Sequence, residues 1–188
     1  LLALSIGADL VDITGENRIL AYHGMLNLRE RMRPGIRAML QVAGIEEAPK
    51  TVRDMSFSLG PRINAAGRVG HALTAAKLLM ANDEGSALEL ASQLETMNQA
   101  RRDIDEDLTE EAIALMAEQP PGRSCTIVHG EGWHRGVLGI VASRLVEQRY
   151  CPTIVLSEEN EVLTGSARSV PGIDIHEAFE KCRHLIEL

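Results

Sequence analysis

The chain has 188 residues, enough for one ordinary domain or two small ones. Aromatic residues amount to only 3% and the net charge is −8, which argues against a base-stacking sheet and against a generic polyanion binder. No apolar run approaches the roughly 18 residues of a membrane span. The three cysteines, Cys125, Cys151 and Cys182, are widely spaced and form no CxxC pattern, so we expect no disulfide framework, no zinc site and a reducing cytoplasm.

Charge varies along the chain. Residues 1–80 carry ten basic and seven acidic side chains, residues 81–122 carry two and eleven, and residues 123–188 carry seven and nine. Sixteen of the 19 basic residues are arginine, which suits bidentate phosphate contacts, although a GC-rich genome gives the same excess. The first ten residues contain no methionine and no charged leader, so we expect the cut edge of a longer protein and not a signal peptide.

The first 80 residues predict helices joined by loops. Apolar residues recur at helical spacing over 17–30, 36–42 and 72–80, and the Arg33-Pro34-Gly35 sequence separates the first two helices. Residues 60–70 are predicted to be a Gly-rich, polar connecting segment.

Residues 84–118 predict one long helix with a narrow apolar seam, formed by Leu90, Leu94, Met97, Ile104, Leu108, Ala112 and Leu115. Arg101 occupies a seam position where an apolar residue is due, whereas Asn98 is expected on the solvated face. The rest of the helix is strongly acidic, which suits a helix that bridges two domains. The Pro120-Pro121-Gly122 sequence is expected to end it.

The spacing of the apolar residues changes after residue 122. Strands are predicted over 125–129, 153–156 and 162–170, with helices over 136–150 and 173–188. This β-α-β-β-α order predicts a small α/β domain, so the chain as a whole is expected to be of mixed α/β class.

Two segments of the first half contain candidate functional residues. Asp9 lies among small and apolar residues, where a carboxylate is costly unless it is paired or binds a metal; the alternative is a helix N-cap or a surface aspartate. Arg62, Asn64 and Arg68 are separated by small residues and can present guanidinium groups to a phosphate. The alternative for them is a structural turn with arginine–carboxylate pairs.

Two segments of the second half are also candidates. His134 and Gly136 precede a helix, whose first N–H groups can bind an anion; the alternative is a helix packed on a sheet through glycine, with Trp133 buried. Ser166, Arg168 and Ser169 end a strand and are predicted to share one face that can hold a phosphate. The alternative is a polar edge strand.

The order of these motifs closely resembles the DHH phosphoesterase superfamily and, within it, the single-strand-specific exonucleases. The matching motifs lie between about residues 3 and 180 and comprise Ala8-Asp9, Gly15-Glu-Asn-Arg18, Arg33-Pro-Gly35, Gly60-Pro-Arg-Ile-Asn-Ala-Ala-Gly-Arg68, Asn98-x-x-Arg101, Trp133-His-x-Gly-x-x-Gly-Ile-Val-Ala-Ser-Arg144 and Gly165-Ser-Ala-Arg-Ser169.

The resemblance implies three parts: the mostly helical end of a DHH domain over 1–83, a linker helix over 84–120 and a DHHA1-like nucleic-acid-binding domain over 121–188. It also implies an enzyme, a cytoplasmic 5′→3′ exonuclease of single-stranded DNA in repair and recombination. Such an enzyme has a two-metal site for Mn²⁺ or Mg²⁺, which activates water for attack on the phosphodiester. Repair proteins are candidate partners.

The resemblance also implies residue roles. Asp9 matches a catalytic metal ligand, Arg62 and Asn64 match residues near the site that hold the nucleotide phosphate, and Arg68 supports them or the DNA path. Arg101 is expected to face the DNA cleft. Downstream phosphates are expected to bind to His134, Gly136, Ser166, Arg168 and Ser169.

The chain also departs from the family. The other metal-binding motifs, Asp-x-Asp, an isolated Asp and Asp-His-His, are expected upstream of Leu1, and a Gly-Gly-His is expected beyond Leu188. One aspartate cannot hold two cations that need about six ligands each, so the chain alone is expected to be inactive. The alternatives are a DHH relative acting on short oligonucleotides or cyclic dinucleotides, a non-catalytic interaction module, and a fragment that retains only phosphate or single-strand binding.

Overall fold

The computed structural model describes residues 1–9, 11–120 and 122–185, and the chain divides into two compact units, residues 1–101 and 102–188. The described part of the first unit forms six helices and the start of a seventh: α1 (Leu2–Ala8), α2 (Gly15–Glu30), α3 (Pro34–Val42), α4 (Val52–Ser58), α5 (Gly60–Val69), α6 (Ala72–Met80) and α7 (Glu84–Ala117). None of the helices in the described ranges is both long and apolar enough to cross a membrane.

Three helices of the first unit follow the predicted bounds closely. Helices α2, α3 and α6 are confirmed, and α3 begins at Pro34, where a missing N–H costs nothing. Helices α1 and α4 were not predicted, because seven residues are too few to establish a period. Helix α4 nevertheless has a strong local start, a capping box in which Thr51 and Asp54 bond each other's backbone N–H.

The prediction of a connecting segment over 60–70 is wrong. These residues form helix α5, with Pro61 in its first turn and Ala65 and Ala66 fully buried. The glycines of this segment lower helix propensity only modestly, and here burial against neighbouring helices outweighs that cost. The helix ends where Gly70 leaves the helical conformation.

The core of the first unit combines methionine and leucine side chains with closely approaching small residues. Met39, Met55, Leu59, Leu78 and Leu94 are at most 1% exposed. At two helix contacts the backbones approach so closely that a side chain has no room. A Cβ on Gly24 would lie 2.3 Å from that of Ala3, and one on Gly35 would lie 2.0 Å from the Leu78 carbonyl oxygen.

Helix α7 confirms the predicted long helix and its seam. Leu94, Leu108 and Ala112 are buried, and the other predicted seam residues are partly buried. The expectation for Asn98 is wrong, because this residue is completely buried. Positions 94, 98, 101, 105 and 108 continue the same three-and-four spacing, so the middle of the seam is polar and includes the buried Asp105.

The second unit contains the rest of α7 and the predicted β-α-β-β-α order. Its described elements are β1 (Thr126–Glu131), α8 (Leu138–Gln148), β2 (Thr153–Glu159), β3 (Val162–Arg168), α9 (Ile175–Lys181) and a 3₁₀ turn (Arg183–Leu185). The sheet order is β1-β2-β3, with β1 parallel and β3 antiparallel to β2. The last helix is shorter than predicted, and residues 186–188 of that prediction lie outside the described residues.

Helix α8 packs on β2 and β3 and covers one face of the sheet. Val128, Val141, Leu145 and Val155 are buried there with residues of α7. The β2–β3 hairpin closes with Asn160 and Glu161 at positive φ angles of 51° and 64°, as a type I′ hairpin turn requires. Helix α7 ends at Ala117, close to the stop predicted at residues 120–122. Pro121 of that prediction lies outside the described residues.

Candidate functional site

A groove of about 900 Å³ in the first unit brings together three of the predicted site residues. Asp9, at the end of α1, and Asn64 and Arg68, both on α5, line this groove, and all three are exposed. Asn64 and Arg68 are four residues apart and therefore lie on the same face of α5. The helical conformation of 60–69, which the sequence did not predict, is thus what places the amide and the guanidinium side by side.

Asp9 is not a helix N-cap. It follows the last residue of α1 with extended backbone (φ −113°, ψ 160°), and its N–H donates to the Ser5 carbonyl at 3.1 Å. The C-terminal end of a helix carries partial negative charge, which repels a carboxylate.

Arg62 does not line the groove. Arg62 is only 9% exposed. Its Nε donates to the Glu95 carboxylate on α7, and its Nη1 donates to the Ser58 carbonyl. The arginine–carboxylate pair that the sequence allowed as the alternative is therefore present, in a helix and not in a turn. The contacts of Arg62 in this unit are structural, and its phosphate contact stays a prediction.

Arg101 is half-buried and donates from Nη2 to the Oδ1 atom of Asn98 at 3.1 Å. Asn98 thus acts as an acceptor for the guanidinium one turn further along α7. A solvated asparagine would not hold the side chain in this way, which is why the buried position of Asn98 matters for Arg101.

In the second unit, His134 lies in the loop between β1 and α8. Its exposed imidazole accepts the Gly136 N–H on Nδ1 at 3.1 Å, which orients the ring and directs Nε2 away from that contact. The neighbouring Trp133 is buried, and its Nε1 donates to Glu111 at 3.0 Å. Both features of the alternative, a buried tryptophan and a helix packed on a sheet, are therefore observed beside the histidine.

Ser166 and Arg168 share one face of β3, as alternation predicts. The Arg168 Nη1 donates to the Ser166 hydroxyl at 3.2 Å and to the Ala167 carbonyl at 2.8 Å. Ser169 departs from the predicted arrangement, because it follows the last strand residue and its hydroxyl donates to the Ile173 carbonyl at 2.6 Å. It orders the loop after β3 and does not share the face of Arg168.

Sequence reasoning missed several residues that hold the candidates in place. Glu95 pairs with Arg62, and Ser143 accepts a hydrogen bond from Arg168. Glu95 is one of many acidic residues on α7, so its spacing does not distinguish it, and the motif that contains Ser143 does not show what its hydroxyl contacts. The Asp105–Arg144 pair was missed for the same reason.

Cysteine chemistry plays no visible part in these surfaces. Cys125, Cys151 and Cys182 are free thiols. Burial raises the pKa of the Cys125 thiol, which keeps it protonated and weakly nucleophilic at neutral pH.

The described residues do not form a complete metal site. Within these ranges no group of three or more His, Cys, Asp and Glu side chains can hold a metal ion. Asp9 offers one carboxylate, whereas hard cations such as Mg²⁺ need about six oxygen ligands. The donor set therefore fits one ligand position and not a whole two-metal centre.

Comparison with known proteins first defines the class. Residues 122–187, which lie in the second unit beyond α7, match the family model of the DHHA1 domain. The elements β1 to α9 lie within the residues that match this model.

The particular relatives are RecJ proteins. The chain is 40% identical to the single-stranded-DNA-specific exonuclease RecJ of Haemophilus influenzae and 37% identical to that of Bacillus subtilis, covering 96% and 99% of this chain. It spans 32% and 24% of the length of these two relatives. The predicted resemblance is therefore confirmed over nearly the whole chain.

Solved structures agree with this relationship. The structure of RecJ from Thermus thermophilus in complex with Mg²⁺ matches with a TM-score of 0.87 and 27% identity over 99% of this chain and 29% of that one. A manganese-bound exonuclease RecJ matches with a TM-score of 0.78 and 28% identity, over 95% of this chain and 44% of that one. The mixed α/β fold class is thereby confirmed.

Proposed function

We propose that this chain is part of a metal-dependent exonuclease that degrades single-stranded DNA from the 5′ end in DNA repair and recombination. The observation that carries the proposal is the groove in the first unit, where a carboxylate, an amide and a guanidinium converge at Asp9, Asn64 and Arg68. The names of the relatives support the same reaction. We further propose a cytoplasmic location and repair-protein partners.

The three residues of the groove have complementary tasks in phosphodiester hydrolysis. Arg68 and Asn64 donate hydrogen bonds to the non-bridging oxygens of a phosphate, and the charge of Arg68 stabilises the negative charge that grows there. Asp9 cannot itself bind the phosphate, because two anions repel each other. Its carboxylate instead occupies one ligand position of a divalent cation.

We propose that Mn²⁺ or Mg²⁺ supplies Lewis-acid activation of water when it is bound. Among the described residues Asp9 is the candidate ligand, and we place the remaining ligands outside this chain. The manganese and magnesium complexes of the solved RecJ structures support a divalent cation. The chain by itself is accordingly expected to be inactive.

Arg62 is proposed to act on the phosphate through the position of α5. Its ion pair with Glu95 ties α5 to α7, and Asn64 and Arg68 follow Arg62 within the next two turns of the same helix.

The second unit is proposed to hold the downstream strand. Ser166 and Arg168 on β3, with Ser169 and the His134–Gly136 loop, provide donors for backbone phosphates. Arg101, on α7 in the first unit, is proposed separately as a cation for single-stranded DNA. Backbone contacts of this kind bind strands without regard to sequence, which suits an exonuclease that must advance along any DNA. The low aromatic content is consistent with binding dominated by phosphate contacts.

The test uses the longer protein that contains this chain. Single strands blocked at the 5′ or the 3′ end are incubated with Mn²⁺ and, in parallel, with EDTA. We expect metal-dependent release of mononucleotides that only the 5′ block prevents. Cleavage restricted to dinucleotides or cyclic dinucleotides would indicate the short-substrate relatives instead, and no cleavage of any substrate would favour a non-catalytic module.

The Asp9→Ala variant tests the ligand assignment. We expect cleavage to be lost while single-strand binding remains, because Asp9 is assigned to the cation and not to DNA. Asp12→Ala, which removes a nearby carboxylate outside the groove, is the matched control and should retain activity. Undiminished hydrolysis by Asp9→Ala would overturn the assignment.

A further inference from the structure

The guanidinium of Arg168 is held from a second element, helix α8. Its Nε donates to the hydroxyl oxygen of Ser143 at 3.1 Å, and that hydroxyl donates its own proton to the Gly139 carbonyl at 3.0 Å. Because the single hydroxyl proton is committed to the helix backbone, a lone pair of Ser143 faces Arg168. The serine is therefore a directed acceptor and not a freely rotating one.

Gly139 lies directly beneath the same guanidinium. A Cβ on this residue would lie 2.8 Å from Arg168 Nη2 and 3.1 Å from the Ser166 hydroxyl, both closer than carbon atoms normally approach. The obstructing atoms are the far end of a flexible side chain and a hydroxyl, so a methyl group would displace Arg168 and leave the helix intact. Glycine is thus required here by the arginine and not by the backbone.

The nitrogen atoms of the Arg168 guanidinium have different partners. Nε binds Ser143, and Nη1 binds Ser166 and the Ala167 carbonyl. Among the described residues no acceptor engages Nη2, the nitrogen that lies over Gly139. The neighbouring contacts thus fix the plane of the group and leave one donor edge available.

We propose that Gly139 and Ser143 are positioning residues that hold Arg168 with its Nη2 edge presented to a DNA phosphate. The phosphate contact rests on the function proposed above, whereas the positioning does not. A prepositioned arginine loses less side-chain entropy when it binds an anion, so both residues should contribute to affinity without touching DNA.

The positioning itself is tested by NMR on this chain. The Arg168 Nε–H resonance, assigned by its absence in Arg168→Lys, should be protected from solvent exchange in the wild type. We expect it to lose protection in Ser143→Ala and to shift in Gly139→Ala, but not in Gly85→Ala. Gly85 is a matched control, because a Cβ there meets its nearest atom at 3.5 Å, an ordinary contact distance. Unchanged protection in both α8 variants would overturn the proposal.

Stability separates displacement of the arginine from damage to the fold. Alanine favours helix more than glycine does, so Gly139→Ala should leave the melting temperature unchanged or raise it. A folded variant with a displaced Arg168 resonance is the expected result. A lowered melting temperature together with an unshifted resonance would mean that Gly139 serves packing alone.

Binding of fluorescein-labelled single strands by the longer protein provides the functional test. Arg168→Ala, Ser143→Ala and Gly139→Ala should each weaken binding, roughly tenfold for the first and less for the others. Each α8 variant should cost nothing further when combined with Arg168→Ala. Additive losses would contradict positioning. If Arg168→Ala binds normally while the NMR results hold, the phosphate role of Arg168 fails and the positioning stands.

Discussion

The carboxylate of Asp105 on α7 is completely buried, and it forms an ion pair of 2.6 Å with Nη2 of Arg144 on α8, whose side chain is 42% exposed. This pair ties the long helix to the DHHA1-type sheet domain within one unit. Removing the arginine would leave a buried negative charge without this partner, which is far more costly than losing an exposed pair.

We therefore expect Arg144→Ala to lower the free energy of unfolding of the second unit by about 2–3 kcal/mol. The measurement is urea unfolding followed by fluorescence of Trp133, the single tryptophan of the chain, which is buried in this unit. Arg135→Ala removes an exposed pair with Glu159 and should cost at most about 1 kcal/mol. Equal losses in the two variants would contradict a special role for the buried pair.

Arg62→Ala should lower both stability and turnover. Loss of the pair with the largely buried Glu95 should cost about 2 kcal/mol, measured by thermal unfolding in far-UV circular dichroism, since the first unit is helical. If Arg62 acts by positioning α5, Glu95→Ala should reduce cleavage of single strands by a similar factor. A full loss in Arg62→Ala with normal activity in Glu95→Ala would instead indicate a direct phosphate contact. Arg37→Ala, at an exposed pair, is the control.

Strand length should distinguish the second unit from the groove. Arg168→Ala is expected to weaken binding of long single strands by about tenfold and of dinucleotides much less, because Arg168 is proposed to contact only downstream phosphates. The slope of log affinity against log salt concentration should become less steep, by the amount that corresponds to the loss of about one phosphate contact. Arg183→Ala, an exposed arginine paired with Glu180, is the control. Equal losses on both lengths would place Arg168 at the reaction itself.

Two carboxylates make the stability of the first unit depend on pH in the acid range. The backbone N–H and hydroxyl of Thr51 hold the pKa of Asp54 below its ordinary value, and the hydroxyl and N–H of Ser86 do the same for the pKa of Asp83. A lowered native pKa means that the unfolded chain binds the proton more tightly, so stability rises with pH in this range. The contribution is complete above the ordinary pKa and is lost as pH falls through the lowered one.

Thermal unfolding between about pH 2 and 6 checks this dependence. The double variant Asp54→Asn/Asp83→Asn should show a shallower rise of melting temperature with pH than the wild type. Ser86→Ala, which retains both carboxylates and removes one hydrogen bond, should lie between them. A slope identical to that of the wild type in the double variant would show that other groups govern the acid range.

Sequence patterns predicted those elements whose signal is repeated many times. Helix α7, with 34 residues, has about nine turns in which to show its seam, and the sheet domain shows a clear change of period. Helix α5 was missed because its glycines and alanines carry no apolar period, although burial makes it a helix. The burial of Asn98 was not predicted, because a polar residue in a helix is normally assigned to the surface. Only the observed helix shows that position 98 shares a face with positions 94 and 101.

The sequence predicted which residues are candidates for the site, but it did not predict how they are arranged in space. Family resemblance selected Asp9, Asn64 and Arg68, and no rule of spacing could have joined residue 9 to residues 64 and 68, since that proximity depends on α1 meeting α5. Arg62 looked equivalent to Arg68, yet a difference of six residues turns it to another side of the helix, towards Glu95. Ser143 lies within a matching motif, but its role as an acceptor was not predicted, because an acceptor is recognised only once its donor is placed.

The close backbone contacts of the first unit determine how this protein can change in evolution. Its tightest positions, Gly24 and Gly35, are occupied by the smallest residue, and Ala3 is buried against Gly24. Deep mutational scanning should therefore find intolerance concentrated where volume is gained, even for alanine or serine, while exchanges among methionine and leucine in the core are accepted. Adaptation of this unit will proceed by altering exposed side chains and not by refilling its interior.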